Sequence, residues 1–152
     1  MINVTMRIQT TLFLFFISLS VLAQQTEPFK KANAIIIDSE QPDSLLISKV
    51  KLSLIKNGFR ISYSDETTNI VQTEYKPATK LRMSGNLWDV SVTTWVEDGA
   101  VYITGSVREG TDLAAAKEWP LEGRYKKFWP LLEEVADGVA IDGDYKKLYD
   151  EL

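Results

Sequence analysis

The stretch from Leu87 to Arg108, LWDVSVTTWVEDGAVYITGSVR, decides the fold. Its residues alternate apolar and polar up to Glu97, break at Asp98-Gly99, and alternate again from Ala100. An aspartate-glycine pair between two alternating runs is a strong β-hairpin signal, because the matching two-residue turn needs positive φ at both central positions. A two-residue loop also sets the register: Glu97 faces Ala100, and pairing steps outward from there. One face then carries Val96 against Val101, Thr94 against Ile103, Val92 against Gly105 and Val90 against Val107, with Trp88 continuing it. That face is the core side. The opposite face pairs Trp95 with Tyr102, Thr93 with Thr104, Ser91 with Ser106 and Asp89 with Arg108. A charge pair and two polar pairs falling opposite each other support the register.

Upstream of the hairpin, Ala32–Asp38 (ANAIIID) is a β-branched run and reads as a buried strand. Ser39–Asp43 is a helix start, with Pro42 tolerated in the first turn. Leu46, Val50 and Leu54 recur every four residues with Ile47 and Ile55 beside them, which makes one apolar helical face. Asn57-Gly58 is the expected stop. The period then changes to two, with Phe59, Ile61 and Tyr63 alternating against Arg60, Ser62 and Ser64. A turn rich in Asp65, Thr67, Thr68 and Asn69 follows. Ile70–Tyr75 is the returning strand, and residues 76–85 are a loop containing Pro77.

Downstream, residues 110–122 read as a linking stretch, with Ala114–Ala116 available for a helical turn. From Arg124 the helical period returns, and Phe128, Leu132, Val135, Ala136 and Val139 share one face. Pro130 places the start near Trp129. Gly138 or Gly143 ends the helix. Tyr145–Leu152 reads as a charged tail, at most one helical turn.

The first 23 residues read as an address. Arg7 is their only charge, and it precedes the apolar run from Leu12 to Leu22. Val21 and Ala23 stand at the −3 and −1 places of a small-residue cleavage site, so a signal peptide cleaved after Ala23 is expected. No cysteine follows for lipid attachment. The expectation is therefore an exported protein, periplasmic or extracellular, with a short lead over residues 24–31, one α+β domain over residues 32–152, and no stable membrane insertion after cleavage.

The whole chain has 152 residues, 45% of them hydrophobic, with 17 basic against 21 acidic side chains and neither cysteine nor histidine. Without histidine there is no serine-histidine or cysteine-histidine relay. Without cysteine there is no thiolate nucleophile, disulfide or cysteine-based zinc site. The acidic balance argues against nucleic acid as a partner.

The remaining motifs each have a plain structural reading. Ser48–Lys51 and Ser53–Lys56 match a serine-x-x-lysine spacing, but the companion elements of penicillin-binding enzymes are missing. Asp137, Asp142 and Asp144 lack the spacing of a calcium loop. Glu133 and Glu134 diverge by about 100° on a helix and cannot converge on one substrate. Lys76, Lys80 and Arg82 place three cations before Gly85, as an anion contact or as a solvated loop. Trp95 and Tyr102 stand side by side opposite the core. They form a surface for a sugar, peptide or protein, unless residues 110–122 with Trp119 fold over them.

The resulting order is β-α-β-β-β-β-α, one antiparallel sheet with two helices packed on one face. Together with the signal peptide, this order over roughly residues 32–140 resembles the small TBP-like or helix-grip modules of exported bacterial proteins, including a lipoprotein of the outer-membrane assembly machine. The chain lacks that lipoprotein's lipidated cysteine. The resemblance implies a non-catalytic module. The expected function is a binding module of the bacterial cell envelope, with an envelope protein or glycan as partner and no cofactor or metal. Its candidate contacts are Trp95, Tyr102, Lys76, Lys80 and Arg82. A small hydrolase without histidine or cysteine chemistry, and an inhibitor-like partner of an exported enzyme, are the alternatives.

Overall fold

Asp98 and Gly99 have φ values of 51° and 78°, the two left-handed positions that the hairpin turn requires. The computed structural model describes residues 31–78, 88–109, 117–122, 127–140, 146–150 and 152. In chain order its elements are β1 (Ala34–Asp38), α1 (Asp43–Lys56), β2 (Ile61–Asp65), β3 (Ile70–Thr73), β4 (Lys76–Pro77), β5 (Trp88–Glu97), β6 (Ala100–Glu109), β7 (Lys117–Pro120), α2 (Trp129–Ala140) and β8 (Lys146–Asp150). The signal peptide expected over residues 1–23 and all of the lead expected over residues 24–31 except Lys31 lie outside the described residues.

The β5–β6 hairpin is the centre of one antiparallel sheet, with the register read from its turn, from Glu97 opposite Ala100 to Trp88 opposite Glu109. Each long strand is flanked by two short ones in tandem. β3 and β4 pair with β5, while β1 and β7 pair with β6. β2 extends the sheet beyond β3, and β8 extends it beyond β1.

Val90, Val92, Val96, Val101, Ile103 and Val107 are buried, and so are the inward faces of both helices; all belong to one core. Both helices therefore lie on the same side of the sheet. Gly105 sits within that inward row. A Cβ there would stand 3.2 Å from Leu132 and 3.3 Å from Leu121, so the bare backbone makes room for α2. The helices meet where Gly138 faces Ser53, whose Oγ would lie 2.2 Å from an added Cβ. The Ser53 hydroxyl donates to the Val135 carbonyl at 2.7 Å, and Asn57 Nδ2 donates to the Glu134 carbonyl at 3.2 Å. At the far end of the hairpin, Trp88 packs against Trp119 and Phe128, with ring centroids 5.7 and 5.8 Å apart.

Several segments differ from the sequence reading. Lys76-Pro77 is a short strand on β5, not loop. The stretch read as a link contains β7, held by backbone pairing to the end of β6. The tail read as charged coil or helix is β8; it pairs along all of β1 and buries Tyr149, whose hydroxyl donates to Glu133 at 2.8 Å. Gly138 lies inside α2 rather than at its end, because the contact with Ser53 requires its missing side chain. Tyr63 does not share a face with Ile61. A bulge between them turns Tyr63 to the outer side opposite Gln72. Ile55 is exposed instead of joining the buried face of α1.

The hairpin turn is anchored from outside. Gly99 N–H donates to Asp43 Oδ1 at 2.9 Å, and Ser39 N–H donates to the Gly99 carbonyl at 3.1 Å. A Cβ at Gly99 would lie 2.7 Å from the Ser39 carbonyl oxygen. In the β2–β3 turn, Asp65 Oδ1 accepts the Thr67 N–H at 2.8 Å. That bond, with those from Thr68, lowers the Asp65 pKa below its ordinary value.

Three outcomes follow from this packing. Gly99→Ala lowers the unfolding free energy by about 1–3 kcal/mol in urea titration, from strained φ and the Ser39 clash together. Gly138→Ala costs about 1–3 kcal/mol by overpacking, and adding Ser53→Ala recovers part of the loss, since Oγ is the nearest obstacle. The Asp65 carboxyl titrates below the usual aspartate range by NMR. Its contribution to the turn is present above the unfolded-state pKa and is lost as pH falls through the folded one.

Candidate functional site

On the helix-free face of the sheet, the residues opposite one another form rows that run across the strands. Next to the hairpin turn, Glu97, Ala100, Asp38 and Lys146 stand opposite one another. The second row reads Asp65, Ile70, Trp95, Tyr102, Ile36 and Leu148, from β2 through β3, β5, β6 and β1 to β8. Five consecutive strands thus contribute an aliphatic or aromatic side chain, and each is half-buried. The next row is polar at its centre, with Thr93 opposite Thr104, and the one after pairs Ser91 with Ser106. Farthest from the turn, Arg108 donates to Asp89 at 2.7 Å, and the guanidinium lies 4.1 Å from the Tyr75 ring centroid. The apolar row therefore lies between a charged row at the turn and polar, then ionic, rows toward the other end.

Trp95 and Tyr102 occupy the middle of the apolar row. Their rings stack with centroids 4.9 Å apart and planes within 2° of parallel. That spacing is close to the roughly 4.8 Å between neighbouring strands, so the sheet itself brings the rings together. Each ring has one face against the other. Beyond the pair the row continues to Ile70 on one side and Ile36 on the other. Trp119, which the sequence reading left free to cover this pair, lies on the opposite side of the sheet. It is paired with Val107 and packed on Trp88.

Lys76, the one basic candidate among the described residues, does not stand with the aromatic pair. The Lys76 ammonium donates to the Asn57 carbonyl at the C-terminus of α1 and lies 4.8 Å from the Phe59 ring centroid. There it satisfies an otherwise orphaned helix carbonyl and complements the negative end of the helix dipole. Gly58 leaves room for it, since a Cβ would stand 3.2 Å from Nζ. Lys80 and Arg82 lie outside the described residues.

The serine-lysine pairs are not assembled either. Ser48 Oγ donates to the Ser44 carbonyl at 2.9 Å, and Ser53 Oγ is held between the helices. Lys51 reaches Glu66 at 3.6 Å instead of a serine. Glu133 accepts from Tyr149, and Asp137 accepts from Lys147 at 3.1 Å, so both acids join α2 to β8. Asp142 and Asp144 lie outside the described residues. Among the described residues no three acidic side chains come together as a metal site, and no helix is long and apolar enough to cross a membrane.

The sequence reading found the centre of the row but not its wings. Ile36 was legible in principle, since in a strand it must point opposite to Ile35 and Ile37. Ile70 needed the register of β3, and Leu148 needed the tail to be a strand. No protein-family model matches this chain, and no curated protein matches it by sequence.

Proposed function

We propose that this protein is a non-catalytic binding module of the bacterial cell envelope that docks a protein partner on the turn end of its helix-free sheet face. The observation that carries this reading is the unbroken row Ile70-Trp95-Tyr102-Ile36-Leu148, half-buried on five adjacent strands. Large apolar side chains contiguous on one face are uncommon on a monomer's surface and mark interaction sites. Tryptophan and tyrosine are the residue types that dominate interface hot spots, and here they stand at the centre of the row with aliphatic neighbours on both sides.

The ring geometry supports a protein over a glycan. Stacking on a sugar needs an open aromatic face, and in this pair each ring has one face against its neighbour. The aliphatic residues on both sides of the pair suit the apolar side chains of a protein surface. The envelope setting rests on the leader expected over residues 1–23 and on the resemblance of the element order to the small TBP-like modules of exported bacterial proteins. The two readable serine-lysine pairs are engaged in structural bonds, so a hydrolase built on them has no support.

The test is crosslinked recovery of partners from envelope extract with the chain from Gln24 onward, beside Trp95→Ala/Tyr102→Ala and the milder edge variant Leu148→Glu. Circular dichroism first confirms that each variant is folded. A protein recovered by the parent chain and then measured by titration is expected to bind at least 30-fold more weakly to the double variant, the loss of a hot spot worth about 2 kcal/mol. Equal affinity for the folded double variant overturns the reading, as does recovery of glycan alone.

A further inference from the structure

Helix α1 is apolar on two sides. Its buried side carries Leu46, Ile47, Val50, Ser53 and Leu54. On the reverse side, Leu45, Leu52 and Ile55 are 46%, 52% and 59% exposed. At 100° per residue, Leu45, Ser48, Leu52 and Ile55 fall within about 80° of one another and form a stripe about 15 Å long. Ser48 does not interrupt it chemically. Its hydroxyl is satisfied by the Ser44 carbonyl, so the stripe can leave water without orphaning that proton.

The stripe is rimmed by cations. Lys49 and Lys56 follow one flank and Lys51 the other, and from Ser44 to Lys56 there is no acidic residue. Lys51 stands 3.6 Å from Glu66, a long contact to an exposed carboxylate, and such pairs are weak and exchangeable. These three positive charges, one of them paired with Glu66, belong to a chain of net charge −4.

We infer that α1 is a peripheral membrane contact, laying Leu45, Leu52 and Ile55 into the headgroup region of an anionic lipid surface while Lys49, Lys51 and Lys56 meet the phosphates. An apolar helical stripe flanked by lysines is the pattern that lies in an interface without spanning it. Charge complementarity selects this occupant. A second copy docking along the same stripe would bring lysine against lysine, since all three flanking charges occupy the positions that face a partner helix in a heptad seam. The area argues the same way. Three side chains about half exposed fall well short of the roughly 800 Å² per partner of a stable protein interface, but they suffice for shallow insertion. The contact lies on the helix layer and does not involve the aromatic row, so the two surfaces can fail independently.

The test is sedimentation of the chain from Gln24 onward, which keeps every described element, with vesicles of phosphatidylcholine alone or containing 30% phosphatidylglycerol. Binding is expected to the anionic vesicles, to be lost at high salt, and to fall about fivefold for each of Lys49→Gln, Lys51→Gln and Lys56→Gln. Leu52→Gln, which removes an exposed side chain and spares the core, lowers binding by a similar factor. Trp95→Ala/Tyr102→Ala binds vesicles like the parent, which separates this contact from the docking face. No binding to either vesicle overturns the inference. Equal binding to both compositions, or unchanged binding of the triple lysine variant, does the same. A dimer in sedimentation equilibrium that Leu52→Gln dissociates would reassign the stripe to self-association.

Discussion

The turn at Asp98-Gly99 is the constraint on which the rest of the molecule depends. Its two left-handed residues close the hairpin with a two-residue loop, and that closure sets which side chains of β5 and β6 enter the core. A slip of one residue would send Trp95 and Tyr102 inward and Val92, Val96 and Val101 outward. The same turn is bonded to Ser39 and Asp43, at the junction between β1 and α1. The start of the helix layer is thereby positioned from the sheet's own register.

The two ten-residue strands also act as rails for shorter ones. β3 and β4 share one rail, and β1 and β7 share the other. Short strands are marginal alone, and pairing with a long central partner makes them stable. This arrangement concentrates the core under the hairpin, where Gly105 admits Leu132, and where Ser53 and Gly138 let α1 and α2 approach closely. The close helix crossing has a further consequence. With its inward side held by α2 and the sheet, α1 presents Leu45, Leu52 and Ile55 to solvent.

The molecule thus carries two apolar surfaces on opposite layers, different in shape and in surroundings. The sheet face offers a stacked aromatic pair within an aliphatic row, with a charged row on its turn side and threonine and serine rows on the other. The helix face offers a narrow aliphatic stripe between lysines, which suits a diffuse negative surface. In our proposals the first surface binds a partner and the second holds the protein near a lipid headgroup layer. Together these proposals describe a small adaptor.

The sequence by itself determined the parts governed by local rules: the hairpin with its register, the burial of one of its faces, the span of α1 up to Asn57-Gly58, the start of α2 near Trp129, and the adjacency of Trp95 to Tyr102. Each follows from turn chemistry, from a period of two or 3.6, or from proline and glycine constraints that act within a few residues. Only the tertiary structure decided the rest. β4, β7 and β8 are too short or too charged to show a period; they are strands because β5, β6 and β1 offer unpaired backbone groups beside them. Whether Ile55 is core or surface turned on which side of α1 meets α2, because that helix has an apolar pattern on both. The full row from Ile70 to Leu148 exists only once five strands, far apart in the chain, lie in register, and backbone hydrogen bonding between distant segments leaves no local trace in the sequence.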